Sequence, residues 1–304
     1  MSQLAIAPEA VTLDLKIEQP ARNAAWRSLR KTTRSILRHK GARLGLFVFG
    51  AFVLMAILSP WIVPYDPNAQ NAALGIGPPS LAHPFGTDVF GRDILSRVID
   101  ASKLSLLIAF ASVAISVAGG VTLGMLTGYF QGWLDAILMR CMDVLLSFPG
   151  LVLALVLAAI MGPGLQSVIV AVGIAGIPTF ARVSRGAVLS VRNNDYVEAA
   201  RSIGCASGQV IRRHVLPNTL APIIVLTTLY VAFAVLTASS LSFLGVGVRP
   251  PTAEWGSMTN EGRGILQVAW WVSTFPGLMI MLLVLSANLV GDAVRDTLDP
   301  TLQV

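Results

Sequence analysis

Charged residues are scarce in this sequence. Only 12% of its 304 residues are Asp, Glu, Lys or Arg, whereas soluble proteins average about a quarter. Hydrophobic residues make up 54% of the chain. This composition excludes an ordinary soluble domain and indicates an integral membrane protein.

The motifs of common catalytic and nucleotide-binding sites are also missing. The chain contains no GxxxxGK[ST] loop, which excludes a P-loop ATP site. It has no HExxH motif and no Ser, His and Asp constellation with supporting local motifs. We therefore predict a protein that is not an enzyme, and any ATP that drives it must bind to another subunit.

Cysteine and histidine are also rare. The two cysteines, Cys141 and Cys205, have no CxxC spacing and are predicted on or near the cytoplasmic side, where thiols stay reduced. The three histidines, His39, His83 and His214, are scattered along the chain. We expect no disulfide, no metal site and no catalytic histidine.

Long apolar runs are what the sequence has in abundance. They fall at residues 44–63, 104–126, 136–161, 167–183, 220–243 and 275–289. Most reach the length of about 20 residues that a helix needs to cross a bilayer. The sequence therefore predicts an all-α polytopic membrane protein with six transmembrane helices.

Charge and proline modify two of these runs. The third carries Arg140 and Asp143 near its start, so its membrane span is predicted to begin close to Val144. Pro149 and Pro178 fall within or beside predicted spans and should kink or interrupt them.

No Asp, Glu, Lys or Arg falls in the middle of a predicted span. Ion-coupled carriers usually keep such a residue for coupling, and it is costly to retain without a function. The sequence therefore argues against a secondary transporter, which stays the less favoured alternative.

Basic residues set the predicted orientation, because Lys and Arg are retained on the cytoplasmic side. The tail before the first run is rich in both, and with six spans the 194–218 segment falls on the same side. Within the tail, Trp26, Leu29, Ile36 and Leu37 alternate with basic residues, which is compatible with an interfacial amphipathic helix or a solvated arm.

The polar segment 194–218 interrupts the apolar runs and is predicted to form a helix, a turn and a helix. Tyr196, Ala199, Ala200 and Ile203 fall at helical spacing and form a small apolar face suited to a groove on another protein. Gly204 is predicted to end the first helix. Ser207 is a candidate N-cap of the second helix, and Pro217 a stop.

This segment resembles the EAA loop of the permease subunits of bacterial ABC importers. Glu198-Ala199-Ala200, Gly204 and Leu216-Pro217 match the loop's pattern, while His214 stands where the general pattern has Ile. The resemblance implies that the loop inserts into a cleft on a cytoplasmic ATPase. Ala199 and Gly204 would be small so that the helix can approach the ATPase closely, and Glu198 would contact a basic group on the ATPase. The implied coupling residues are Glu198, Ala199, Ala200, Arg201, Gly204, Leu216 and Pro217.

Two further blocks are similar to the dipeptide, oligopeptide and nickel permeases. One is the stretch 83–97, which reads HPFGTDVFGRDILSR, and the other is 241–256, with LSFLG, Pro250-Pro251 and Glu254-Trp255-Gly256. The Gly86 to Asp93 region could be an anion or substrate site, but packing of an external cap is the favoured interpretation. The GxxxG repeat of Gly120, Gly124 and Gly128 is expected to pack helices within this subunit, with a dimer seam as the second choice.

The resemblance implies a type I ABC importer permease fold in the bacterial inner membrane, with both termini cytoplasmic. The partners would be a second homologous permease, two cytoplasmic ATPase subunits that bind ATP and Mg²⁺, and a periplasmic substrate-binding protein. No cofactor is expected in this chain. The expected cargo is a di- or oligopeptide, with nickel or a small peptide-like solute such as glutathione as the alternative.

The predicted organisation has five parts. They are a cytoplasmic tail at 1–43, a first transmembrane helix at 44–63, a periplasmic cap segment at 64–103, a five-helix core at 104–293 with its coupling loop at about 192–218, and a cytoplasmic tail at 294–304. Polar residues within the last two spans are candidates for the translocation path, with hydrogen bonding between helices as the alternative. These are Thr227, Thr228, Tyr230, Thr237, Ser239, Ser240, Ser286 and Asn288.

Overall fold

The computed structural model describes residues 40–298. The predicted amphipathic helix of the N-terminal tail and the last six residues lie outside this range. The described helices are α1 (Lys40–Ile62), α2 (Ile94–Phe130), α3 (Gly132–Leu146), α4 (Gly150–Met161), α5 (Leu165–Arg192), α6 (Asp195–Ser202), α7 (Ser207–Val210), α8 (Leu216–Phe243), α9 (Trp255–Arg263) and α10 (Trp271–Leu298). A π-helical turn, Ile211–Val215, joins α7 to α8. Residues 40–298 contain no β-strand, which confirms the all-α prediction.

Five helices are long and apolar enough to cross a membrane, and a sixth crossing requires the bent pair α3 and α4. The five are α1, α2, α5, the continuous helix Ser207–Phe243 and α10. α3 and α4 meet at an angle of 94°. The chain is therefore a multi-pass membrane protein with five continuous candidate spans and one broken apolar segment.

The break between α3 and α4 lies at Pro149, as the sequence predicted. Pro149 is the N-cap of α4, and the residue before a proline is disfavoured in the α region. The span predicted to begin near Val144 is wrong, because Val144 belongs to α3 and the second apolar helix begins only at Gly150. Its 12 residues extend about 18 Å, too short to cross a bilayer alone. By contrast, α5 continues through Pro178 without interruption.

The packing of α2 against α5 forms the centre of the fold. An added Cβ at Gly120, Gly124 or Gly128 would come within 2.3 to 2.8 Å of α5 atoms. The hydroxyl of Ser116 donates to the Gly173 carbonyl at 2.7 Å, which adds a polar contact between the same helices. The small residues of the GxxxG repeat thus pack helices within this chain, as expected.

The segment between α1 and α2 packs onto the ends of α9 and α10. Arg92 is buried, its Nε donating to Asp88 at 2.5 Å and its Nη2 to Glu261 of α9 at 2.6 Å. The rings of Phe85 and Phe275 stack with centroids 3.9 Å apart. These contacts favour the cap interpretation of the stretch 83–97 over a solute site. α2 begins at Ile94, within the predicted cap segment, because the Asp93 carboxylate accepts the Ser96 N–H at the helix start.

α9 is a short buried helix in the segment that connects α8 to α10. The Glu254 carboxylate caps it by accepting the N–H groups of Gly256 at 2.8 Å and Ser257 at 2.9 Å. Burial raises the pKa of the Glu254 carboxyl, and the two N–H bonds oppose that shift. Trp255 is fully buried and donates its indole N–H to the Val98 carbonyl at 3.0 Å, which fixes α9 against α2.

Candidate functional site

α6 is a short helix held between the ends of two long ones. It follows α5 after two residues, and Asp195 and Glu198 lie in its first turn, where a negative charge stabilises a helix N-terminus. Val197 and Ala200 are buried and pack in one cluster with Tyr129 of α2 and Val188 of α5. The packing of this cluster joins α6 mechanically to the membrane helices.

The exposed face of α6 differs from the predicted face by one residue. Tyr196, Ala199 and Ile203 are exposed, and Ile203 is 80% exposed although it is a large apolar side chain. Ala200 does not share this face; it is buried against the bundle together with Val197. Glu198 is also exposed. The outward face thus presents a carboxylate beside uncovered apolar surface.

The C-terminal end of α6 is closed by hydrogen bonds that need a glycine. The Cys205 N–H donates to the Ala200 carbonyl at 3.1 Å, and the Gly204 N–H donates to the Arg201 carbonyl at 2.9 Å. This pair is a Schellman motif, and Gly204 has the left-handed φ of +84° that it requires. A Cβ at Gly204 would meet no atom of the described chain within 4 Å. The backbone conformation therefore gives a second reason for this glycine, besides close approach to a partner.

The second helix of the segment differs from the prediction at both ends. Ala206, not Ser207, is the N-cap of α7, and Ser207 is its first residue. Pro217 does not stop a helix; it lies in the first turn of α8, where a missing N–H is tolerated. The candidate span Ser207–Phe243 therefore runs unbroken from the α6 turn into the membrane. Leu216 is partly buried and Pro217 is exposed at the start of α8.

His214, at the position where the sequence departs from the general pattern, lies beside the exposed face of α6. Its ring centroid is 6.4 Å from that of Tyr196. The side-chain amide of Asn218 donates to the His214 carbonyl at 2.7 Å. The His214 side chain thus lies beside Tyr196 of α6.

A polar cavity of about 580 Å³ opens beside α6. Its lining combines the last residue of α5, the next residue of the connection and three residues of α6: Arg192, Asn193, Glu198, Arg201 and Ser202. The Arg201 guanidinium lies 4.8 Å from the centre of the Tyr129 ring, a cation–π contact that fixes its position. The predicted coupling residues Glu198 and Arg201 therefore share one cavity, which Ala199 and Gly204 do not line.

A second groove, of about 810 Å³, lies among α4, α8, α9 and α10 in the apolar part of the molecule. Three predicted path residues line it, namely Ser239, Ser240 and Asn288. Gly256 and Thr259 of α9 also line it. No periodicity marks α9 as a wall of this groove, because its position depends on the buried contacts of Glu254 and Trp255.

The other predicted path residues do not line this groove. Tyr230 lines a separate cavity of about 430 Å³. Thr227, Thr228 and Ser286 each donate a hydroxyl hydrogen bond to a carbonyl of their own helix, and Thr237 is buried. The structure thus brings only three of the eight candidates together.

Two family profiles match this chain, one in its N-terminal part and one in its C-terminal part. One described as "Binding-protein-dependent transport system inner membrane component" matches residues 120–304, and one described as "N-terminal TM domain of oligopeptide transport permease C" matches residues 24–82.

Two curated proteins and one solved structure illustrate the similarity. A di/tripeptide transport system permease protein of Pseudomonas aeruginosa is 43% identical, with 90% of this chain and 93% of that protein covered. A glutathione transport system permease protein of Pectobacterium atrosepticum is 43% identical, with 91% and 92% covered. A chain of the inward-facing MetNI methionine ABC transporter has the same fold, with a TM-score of 0.56 at 20% identity over 68% of this chain and 98% of that chain.

Proposed function

Since this chain belongs to the family of binding-protein-dependent transport system inner membrane components, we propose that it forms half of the translocation path of an ATP-driven importer of di- or oligopeptides. The observation that carries this proposal is the uncovered face of α6. Ile203, Tyr196 and Glu198 are exposed there, while Val197 and Ala200 fix the same helix to the bundle. An anchored helix with an open apolar face is suited to receive a moving partner.

The partners follow from this role. Two cytoplasmic ATPase subunits bind ATP and Mg²⁺, and one of them covers the α6 face. A second homologous permease completes the path, and a substrate-binding protein delivers the solute from the periplasmic side. The chain lies in the inner membrane with its N-terminus, its C-terminus and α6 on the cytoplasmic side.

The geometry indicates how the motion of an ATPase would reach the membrane. α6 follows α5 after two residues, and the helix after the Gly204 turn is continuous with α8. When the ATPase dimer closes, displacement of α6 is transmitted to α5 and α8 as a rigid-body rotation. α8 also supplies Ser239 and Ser240 to the membrane groove. Rotation of α8 would therefore change access to the groove directly.

The lining of the groove is better suited to the passage of a solute than to its selective binding. Hydroxyl and amide groups of Ser239, Ser240, Thr259 and Asn288 interrupt a wall that is otherwise mainly apolar. None of the groove residues carries a charge. Such a wall offers no fixed partner for the charged ends of a peptide, so selection would rest with the binding protein. The named relatives support a peptide, with glutathione as the alternative cargo. Nickel, the other alternative, rests on the resemblance of the stretches 83–97 and 241–256 alone.

The docking proposal is tested by co-purification of ATPase subunits with the tagged chain from its native membrane in mild detergent. Ile203→Asp and Glu198→Lys should lose the ATPases. The first places a charge where the interface is apolar, and the second reverses the charge that would face a basic group. Leu81→Asp is the matched control, since Leu81 is fully exposed but lies in the segment between α1 and α2. It should retain the ATPases.

Two results would contradict the proposal. Retention of the ATPases by both α6 variants would remove α6 as the docking site. Uptake without ATP by the purified chain alone in vesicles would instead favour an ion-coupled carrier.

A further inference from the structure

The polar cavity beside α6 contains a cation, Arg192, that forms no ion pair within the described residues. Nε and Nη1 of Arg192 are shielded from solvent and have no hydrogen-bond partner within residues 40–298. Neither Arg192 nor Arg201 forms an ion pair in that part of the chain. A shielded guanidinium without an acceptor is costly. An acceptor is therefore expected from outside the described residues.

The chemistry of the cavity indicates what that acceptor is. Arg192 and Arg201 bring two positive charges to its lining, against the single negative charge of Glu198. The contact with Tyr129 holds the Arg201 guanidinium in place. A planar guanidinium binds carboxylates and phosphates through paired N–H donors. The cavity thus matches one anionic group of small size.

The position of Arg192 along α5 favours a protein carboxylate over a lipid phosphate. Arg182 and Arg185 of the same helix are paired with Asp143 and Asp135 of α3. Arg192 lies seven residues beyond Arg185, which is roughly 10 Å further along the helix axis. At that depth it adjoins the exposed face of α6 instead of the apolar belt. A protein that contacts Glu198 would also reach the cavity, because Glu198 is exposed and lines it.

We propose that this cavity receives an acidic side chain of the docking ATPase subunit, with Arg192 as the residue that binds it. The inference rests on the proposed function and deepens it, because it assigns a second, oppositely charged contact beside Glu198. A partner that offers a basic group to Glu198 and an acidic group to Arg192 can dock in only one register. The cavity would then determine which ATPase is accepted.

The test measures the affinity of the ATPase for the purified permease complex in nanodiscs, at low and at high salt. Arg192→Gln should weaken binding about tenfold or more at low salt and make the affinity less dependent on salt. Arg192→Lys should restore part of the loss. Asn193→Asp, which puts a carboxylate into the cavity lining at an exposed position, should also weaken binding. Arg295→Gln is the matched control, because it removes the same charge from an exposed site on α10.

The outcomes separate this inference from the docking proposal. If Ile203→Asp abolishes binding while Arg192→Gln and Asn193→Asp bind as the unmodified chain does, the acidic contact is wrong and the docking role stands. If Ile203→Asp also binds normally, the docking role itself is wrong. If native mass spectrometry finds an anionic lipid that Arg192→Gln releases without a change in ATPase affinity, the cavity is a lipid site. If removal of residues 299–304 reproduces the effect of Arg192→Gln, the acceptor belongs to this chain.

Discussion

At the scale of single residues, neighbouring positions of the segment 194–218 have different structural roles. Gly204 provides the left-handed conformation that ends α6, and Ala200 packs inward with Val197. Only Ala199, Tyr196 and Ile203 contribute apolar surface to the outward face. A substitution in this segment can therefore reduce activity either by disturbing the fold or by removing a contact with a partner. Substitutions at exposed positions test the proposed docking more directly. Gly204→Asp would combine a charge in the interface with a residue that favours φ below zero.

Glu254 provides a prediction about pH. The ordinary glutamate pKa is 4.5, and burial raises the pKa of Glu254 in the folded state. Below 4.5 the carboxyl is protonated in both states and contributes no pH dependence. Between 4.5 and the raised pKa, the unfolded chain releases the proton and the folded chain keeps it. Because the unfolded state then binds fewer protons, the free energy of unfolding falls as pH rises through this window and levels off above it.

Glu254→Gln removes this titration but keeps an oxygen that can accept one of the capping N–H bonds. The midpoint of thermal unfolding of the variant, relative to the unmodified chain, should therefore rise with pH from about 4.5 and then become constant. Glu198→Gln controls for the loss of an exposed carboxylate. A difference between Glu254→Gln and the unmodified chain that does not change with pH would contradict the raised pKa.

At the scale of helices, close packing of α2 against α5 should be the least tolerant contact of the fold. A Cβ at Gly124 would lie 2.6 Å from the Ala181 carbonyl oxygen and 2.8 Å from the Arg185 nitrogen, both backbone atoms. Backbone atoms cannot move aside without separating the helices. Gly186 of α5 is the opposite case, since an added Cβ there meets nothing within 4 Å.

Gly124→Ala should therefore destabilise the protein by about 1–3 kcal/mol, the usual cost of overpacking. Gly186→Ala should be neutral or slightly stabilising, because alanine favours a helix over glycine. Thermal unfolding of both variants in the same detergent measures the difference. An equal effect of the two substitutions would show that α2 and α5 separate easily and that their close contact contributes little stability.

The helices also show which structural features can be predicted from local sequence patterns. The apolar runs identified five spans, because a membrane helix is a continuous local pattern. Pro149 marked the break before α4, since proline acts on its own neighbours. The pattern did not reveal that α3 and α4 diverge by 94°, or that the helix beginning at Ser207 continues through Pro217 into α8. Those features depend on tertiary contacts of α3 with α5 and on the π-helical turn.

At the scale of the whole molecule, the charge pairs of the cap could not be predicted from the sequence for a similar reason. Arg92 and Glu261 are 169 residues apart, and only the folded chain brings them together. The same holds for Thr259 of α9, which reaches the groove because Trp255 packs against α2. Fold class and family were therefore readable from local patterns. The lining of the groove and the pairing of the cap depended on contacts between distant residues.

The proposed orientation makes a prediction about the whole molecule. With α6 in the cytoplasm, the cap segment and the C-terminal end of α10 lie on opposite sides of the membrane. Leu81 of the cap and Asp296 of α10 are both exposed, so a cysteine at either position should react with a maleimide that reaches it. In a background with Cys141→Ser and Cys205→Ser, an impermeant maleimide should label Leu81→Cys in intact spheroplasts. It should label Asp296→Cys only after permeabilisation. The reverse pattern would place α6 outside the cell, where no ATP-driven partner could bind it, and would exclude the importer mechanism for this chain.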